Sequence, residues 1–259
     1  MEILKAEKLV KTFTISEKQR KALGIRDKKK VAVDGVSFIA KSGEVFGLIG
    51  PNGAGKTTTM RMLATLIAPD SGDALYNDVS AVKSPEKIRS QLAFLTTDLK
   101  LDMKSTPNIV FDFFAKLYHV PEDAAEKRKK ALFDEFGINQ FADTTISKLS
   151  QGQRQKVSLV ISVIHDPKFV IFDEPTNGLD IIAAREVREF ILNMKRSGKC
   201  VIISTHLFDL VEKVCDRAAM IMDGKIVADD TLENLMQGRS LEDAFYDIYT
   251  SRTGGNDEV

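Results

Sequence analysis

Gly50-Pro51-Asn52-Gly53-Ala54-Gly55-Lys56-Thr57 fits the pattern G-x-x-x-x-G-K-[ST]. The apolar run before it, Val45-Phe46-Gly47-Leu48-Ile49, reads as a buried parallel strand. Thr58 to Ala68 follows without Pro or Gly and carries Met60, Leu63, Leu66 and Ile67 at helical spacing, which predicts a helix. Strand, glycine loop and helix together describe an anion cradle. Glycines let the backbone curl so that successive N–H groups point inward. The helix N-terminus adds partial positive charge. In such a phosphate-binding loop (P-loop), Lys56 reaches the β- and γ-phosphates of a nucleotide and the Thr57 hydroxyl binds Mg²⁺. The pattern alone also suits a plain glycine-rich turn, so the rest of the chain must say what a nucleotide is for.

The 259 residues can bury a full core, as one domain with elaborations or two small ones. Lys plus Arg and Asp plus Glu both number 37, so no global field draws the chain to nucleic acid or to an anionic membrane. Cys200 and Cys215 lack metal-ligand spacing and read as buried thiols of a reducing compartment. Met1-Glu2-Ile3-Leu4-Lys5 has no signal-peptide core. No apolar run approaches the ~20 residues of a membrane span. The expectation is a soluble chain whose membrane role comes through a partner.

Alternating apolar residues over 2 to 13 and 31 to 40 predict a small antiparallel sheet beside the P-loop strand. Between them lies a basic insert, Lys18 to Lys30, suited to a solvated hairpin tip or to contact with lipid head groups or a partner's acidic loop. Pro69-Asp70-Ser71-Gly72 signals a turn. Ser84-Pro85 opens a short helix to about Gln91, and Leu92–Leu95 is a strand. From about Lys100 to Ile164 the pattern is almost all helix, with openings at Thr106-Pro107 and Pro121 and a glycine stop at Gly137. Ser150-x-x-Gln153 is a capping box. Val157, Val160, Ile161 and Ile164 then mark one buried helix face, ended by Asp166-Pro167.

Phe169–Phe172 is a buried strand closed by Asp173-Glu174. A helix over Ile181 to Lys195 and a strand over Cys200 to Ile203 lead to His206, and Asp223-Gly224 marks a hairpin. Helices over Thr231 to Met236 and Leu241 to Tyr249 close the chain, and Ser251 to Val259 reads as a frayed tail.

Taken in order, Gly50–Thr57, Leu149-Ser150-Gln151-Gly152-Gln153, Phe172-Asp173-Glu174, Gly178-Leu179-Asp180 and His206 resemble the motifs of ABC transporter ATP-binding subunits. The resemblance covers about residues 3 to 236. It implies an α/β fold: a RecA-like P-loop NTPase core with a flanking antiparallel β subdomain and an inserted α-helical subdomain. The ATPase domain would span 1–236, its helical subdomain about 98–165, and 237–259 would form a C-terminal helix and tail.

The family's roles carry over residue by residue. Gly50, Pro51, Asn52, Gly53, Ala54, Gly55, Lys56, Thr57 and Thr58 would hold the phosphates of ATP. Thr57 and Asp173 would hold Mg²⁺. Glu174 would orient or deprotonate the attacking water, with Lys56 and His206 completing the catalytic set. Ser150, Gly152, Gln153 and Asp180 would face the ATP of an opposing subunit, so that two copies sandwich two nucleotides head to tail. Phe13 stands where the family places an aromatic that stacks on adenine.

Two positions depart from the family. Gln151 replaces the commonest Gly of the signature. The slot after Leu92–Leu95, where relatives carry a Gln that ligates Mg²⁺ and reports to the membrane partner, holds Thr97 followed by Asp98. The stretch Leu92 to Tyr118 and the tail from Leu241 to Phe245 resemble subunits of ABC-2-type exporters, including the sodium-extruding kind. The implied function is the ATPase of an exporter, paired with a second ATPase subunit and an integral membrane permease at the inner face of the cell membrane. A soluble ABC ATPase working on nucleic acid or ribosomes is the alternative. The single domain, lack of heptads and balanced charge oppose it. A regulatory module without turnover is opposed by the intact Lys56, Asp173, Glu174 and His206.

Overall fold

The structure, a computed structural model, describes residues 1–17, 20, 28–96 and 101–253. Lys18, Lys21 and Arg26 of the basic insert, Thr97 and Asp98, and residues 254–259 of the tail lie outside the described residues.

β1 (Ile3–Thr14) and β2 (Lys29–Lys41) pair antiparallel as expected, from Ile3↔Lys41 to Thr14↔Lys29. β3 (Val45–Ile49) feeds the P-loop, and α1 (Lys56–Leu63) follows it. This helix is shorter than its sequence predicts. Thr65 takes a left-handed φ of 58° and the chain turns, so the apolar spacing of Leu66 and Ile67 does not continue the helix, and Leu66 is exposed. β4 (Ser71–Tyr76) and β5 (Val79–Ser80) come next, so Ser71-Gly72 begins a strand rather than a turn. The reason is close approach: a Cβ on Gly72 would lie 2.3 Å from the Lys8 carbonyl oxygen. Here the glycine serves strand crossing.

α2 (Pro85–Arg89) and β6 (Leu92–Thr96) lead into the helical insertion. It contains α3 (Pro107–Leu117), α4 (Glu122–Glu135) and α5 (Gln151–Ser162), with two short 3₁₀ turns between α4 and α5. The sheet resumes with β7 (Phe169–Asp173), and α6 (Ile181–Arg196) and β8 (Cys200–Thr205) follow. α7 (Phe208–Val214) is two turns long, has no side-chain cap, and ends at Cys215, whose surrounding run reads as helical in the sequence. β9 (Arg217–Met222) and β10 (Lys225–Thr231) form the predicted hairpin. α8 (Leu232–Met236) and α9 (Leu241–Thr253) close the described chain. α9 therefore takes in Ser251–Thr253, which the sequence assigned to a frayed tail.

The central sheet has the order β10-β9-β3-β8-β7-β6, parallel except for β10. Alternate residues of its strands point to opposite faces. Phe172, Val201 and Ile203 pack toward the helical side with Val160 and Phe190. Ile171, Ile202, Phe46 and Leu48 pack toward α1 and the antiparallel sheet with Met60 and Leu63. Because both faces are covered, the strands read as continuous apolar runs. Each such side chain contributes roughly 1.5–3 kcal/mol by burial. The core thus holds the parallel strand ends level, and those ends carry the polar residues considered next.

Candidate functional site

The P-loop crosses the C-terminal end of β3. Gly53 (φ 83°) and Gly55 (φ 108°) lie in the left-handed region, where a side chain is strained. Gly50 has a different reason: a Cβ there would sit 2.2 Å from the Ile221 carbonyl oxygen on β9. Lys56 opens α1, and its side chain is only 5% exposed. The ammonium donates to the carbonyls of Gly50 (2.7 Å) and Pro51 (3.2 Å) and lies 3.5 Å from Glu174 Oε1. Burial pushes its pKa below the usual lysine value, against the opposing pull of Glu174 and then Asp173.

Register sets the rest. Thr96 pairs with Asp173, Asp173 with Ser204, and Ile49 with Thr205, so these parallel strands end side by side. Asp173 is buried, and its Oδ1 accepts from Thr57 Oγ1 (3.2 Å) and from the Ser204 hydroxyl. Ser204 was not read from the sequence, although its place in the strand before His206 was the available signal. Glu174 follows with a left-handed φ of 53°, and its N–H donates to the Ser204 carbonyl at 2.9 Å. This bend carries its carboxylate off the strand line, toward Lys56 and His206. His206 Nδ1 lies 3.0 and 3.1 Å from the two Glu174 oxygens. An ionised carboxylate only accepts, so Nδ1–H donates to Glu174 and Nε2 is left for another partner.

A groove of about 310 Å³ joins these residues to the antiparallel sheet. Phe13, Lys30 and Ala32 line one end, and the P-loop and Glu174 line the other. Phe13 is 43% exposed, so it is not a core residue. Lys30, which the sequence assigned to the end of the basic insert, lies instead in β2 as the cross-strand partner of Phe13, and side chains of such partners share a face. Among the described residues no group of three or more His, Cys, Asp or Glu side chains could hold a metal. Mg²⁺ at a phosphate site does not need one, since it keeps waters and phosphate oxygens. The hydroxyl of Thr57 and the carboxylate of Asp173, 3.2 Å apart, are the hard oxygen donors it favours.

The signature residues assemble elsewhere. Ser150 is exposed and caps α5: its Oγ accepts from the Gln153 N–H (3.2 Å), while Gln153 Oε1 accepts from the Ser150 N–H (2.9 Å). Asp180 caps α6, with Oδ1 accepting from Ile182 and Ala183 N–H groups at 2.9 Å. Gly152 packs between the two helix starts; a Cβ on it would be 3.3 Å from Ala183 Cβ and 3.9 Å from Asp180 Oδ2. The family-atypical Gln151 has its own contact: its Nε2 would be 2.7 Å from a Cβ on Gly178. Ile181 (90% exposed) and Ile182 (74%) stand beside them. None of Ser150, Gly152, Gln153 and Asp180 lines the groove.

The family model described as ABC transporter matches residues 33–177, more than half of the chain. The chain is 36% identical over 232 residues to the ABC transporter ATP-binding protein NatA of Bacillus subtilis, covering 88% of this chain and 93% of that protein. It is 32% identical over 200 residues to the Nod factor export ATP-binding protein I of Ralstonia nicotianae, covering 77% of this chain and 62% of that one. A solved structure of an ATP-binding subunit of an ABC transporter superposes with a TM-score of 0.82 at 26% identity, covering 95% of this chain and 99% of its own. With a family model over more than half of its length and relatives of this identity and coverage, the chain belongs to the ABC transporter family as an ATP-binding subunit with ATPase activity.

Proposed function

We propose that this ATPase powers an exporter by hydrolysing ATP held between two copies placed head to tail. The observation that carries the reading is the division of the motifs. Lys56, Thr57 and Glu174 line one groove, with Asp173 and His206 hydrogen-bonded to Thr57 and Glu174, while Ser150 and Asp180 are exposed at helix starts that do not line it. A single copy therefore has a phosphate grip without the signature, and a signature without a nucleotide.

Chemically, the P-loop N–H groups and Lys56 bind the phosphates. Thr57 and Asp173 would hold Mg²⁺, which when bound would supply charge neutralisation to the phosphates. An arriving γ-phosphate competes with Glu174 for the Lys56 ammonium, now 3.5 Å from the carboxylate. Freed from that pair, Glu174 accepts a hydrogen bond from the attacking water and acts as the base. His206 orients Glu174 through Nδ1–H and offers Nε2 to the water or to a protonated phosphate oxygen. Phe13 provides the base with a stacking face. The separated phosphate weakens the contact between copies, and the interface opens.

Residues 1–236 form the ATPase domain, with about 98–165 its helical part and 237–259 a C-terminal appendage. No helix among the described residues is long and apolar enough to cross a membrane. Transport then requires an integral membrane permease, with this chain peripheral on the inner face. Ile109, Phe113 and Leu117 make an apolar stripe on α3, each more than half exposed, that suits a cytoplasmic segment of that permease. The relative named for Nod factor export supports the outward direction. The exporter-like stretch Leu92–Tyr118 makes Na⁺ the first cargo to test.

Glu174→Gln tests the core of this. It should lower ATPase turnover by about 10²- to 10⁴-fold while ATP binding persists and an ATP-held dimer accumulates in gel filtration. Turnover at the wild-type rate would remove Glu174 as the base.

A further inference from the structure

We propose that Lys11 is a positioning residue for the nucleotide base, acting through Phe13. The inference rests on Phe13 being the stacking platform of the proposed nucleotide site. Lys11 Nζ lies over the Phe13 ring, 5.9 Å from its centroid. It is not a loose surface cation. It donates to Asp70 Oδ1 and to the Ala68 carbonyl, both at 2.8 Å, and its side chain is only 18% exposed. The other Asp70 oxygen accepts from the Thr12 N–H at 2.7 Å, and the Asp70 N–H donates to the Val10 carbonyl at 2.8 Å. Asp70 therefore grips three successive residues of β1 just before Phe13. The Lys11 hydrogen bond, with that from Thr12, holds the Asp70 carboxyl below the usual range, so the grip stays charged at neutral pH.

Two consequences follow from where these groups lie. Phe13 lines the groove and Lys11 does not, and in this proposal the cation sits on the ring face turned away from the base. A cation on one face draws electron density from the ring. The opposite face then stacks more favourably on an electron-rich purine. In addition, Ala68 and Asp70 belong to the link between α1 and β4, and α1 begins at Lys56. The clamp thus ties the base platform to the helix that carries the phosphate grip and sets the span between the two ends of the nucleotide.

The test compares ATP with inorganic tripolyphosphate, which has no base, by calorimetry on the full chain. The variants are Lys11→Met, Lys11→Arg, Asp70→Asn and Phe13→Ala, each checked for wild-type melting. Lys11→Met should weaken ATP by about 2- to 5-fold and leave tripolyphosphate affinity as in wild type. Asp70→Asn should act in the same direction, and Lys11→Arg should retain ATP affinity. Equal losses for ATP and tripolyphosphate, or no loss for ATP, would overturn the role of Lys11. Wild-type ATP affinity in Phe13→Ala would instead remove the platform reading itself. A loss in Phe13→Ala without one in Lys11→Met removes only this inference.

Discussion

The P-loop end of the central sheet and the N-terminal end of α5 both open a helix, yet they are finished differently. At the P-loop, the charged groups lean on one another: Lys56 sits between loop carbonyls and Glu174, and Asp173 takes hydrogen bonds from Thr57 and Ser204. Bound phosphate would replace existing contacts there. At α5, the capping box already satisfies the Ser150 and Gln153 N–H groups, and the surface around it is open. The contrast teaches that one end is held by contacts a phosphate would displace while the other is already capped, which fits the proposed site shared between two copies.

Breaking the grip should have the largest effect. Lys56→Ala removes a buried cation that donates charge-assisted hydrogen bonds and leaves Glu174 without its partner; ATP affinity measured by calorimetry should fall about 100-fold. Affinity within twofold of wild type would mean that the loop is only a turn. The next test joins the two ends. Gly152→Asp should place a carboxylate against a partner's phosphate, and neither it nor Lys56→Ala should turn over ATP alone. Mixed one to one, symmetric pairing leaves one intact site in half of the dimers, so about a quarter of wild-type turnover should return. No recovery would show that the two regions do not share a site.

Smaller effects sharpen the capped side. Ser150→Ala deletes the side-chain half of the capping box and should lower stability by about 1 kcal/mol, a fall in melting temperature of about 2–4 °C. An unchanged melting curve would mean that the cap is dispensable in the isolated chain. The smallest effect concerns the far end of the same sheet. Burial pushes the Cys200 thiol up to about 12, so it stays protonated at pH 8, whereas Cys215, expected to be buried, keeps part of its surface exposed. In a Cys215→Ser background a thiol-specific dye should label Cys200 only as the protein unfolds. Rapid labelling under native conditions would show that the sheet opens more readily than its packing implies.

Much of this was legible because short-range physics wrote it. A glycine-rich loop between an apolar run and a helix, a Ser-x-x-Gln box and an Asp-Glu pair closing a strand each declare a local geometry, and each was found as read. Misreadings arose where a distant partner decided. Thr58–Ala68 kept helical spacing after the helix had ended, because no breaker residue marks the turn at Thr65, whose hydroxyl and carbonyl accept from the distant Arg89. Gly72 looked like a turn residue but admits the Lys8 carbonyl of a neighbouring strand. Ser204 and Lys30 carry no motif, and become visible only when strand register sets them beside Asp173 and Phe13.

By itself, then, the sequence determined which pieces of chemistry are present and the local frame of each: a phosphate loop, a carboxylate pair, a histidine and a capped signature helix. Only the tertiary structure decided which of them meet. The parallel register places Asp173, Ser204 and Thr205 at one edge beside the P-loop, and the helical insertion carries Ser150 away from it. The physical reason is that motif geometry follows from a few neighbouring residues. The encounter of strands β3, β7 and β8 is set instead by burial of both sheet faces, a property of the whole chain.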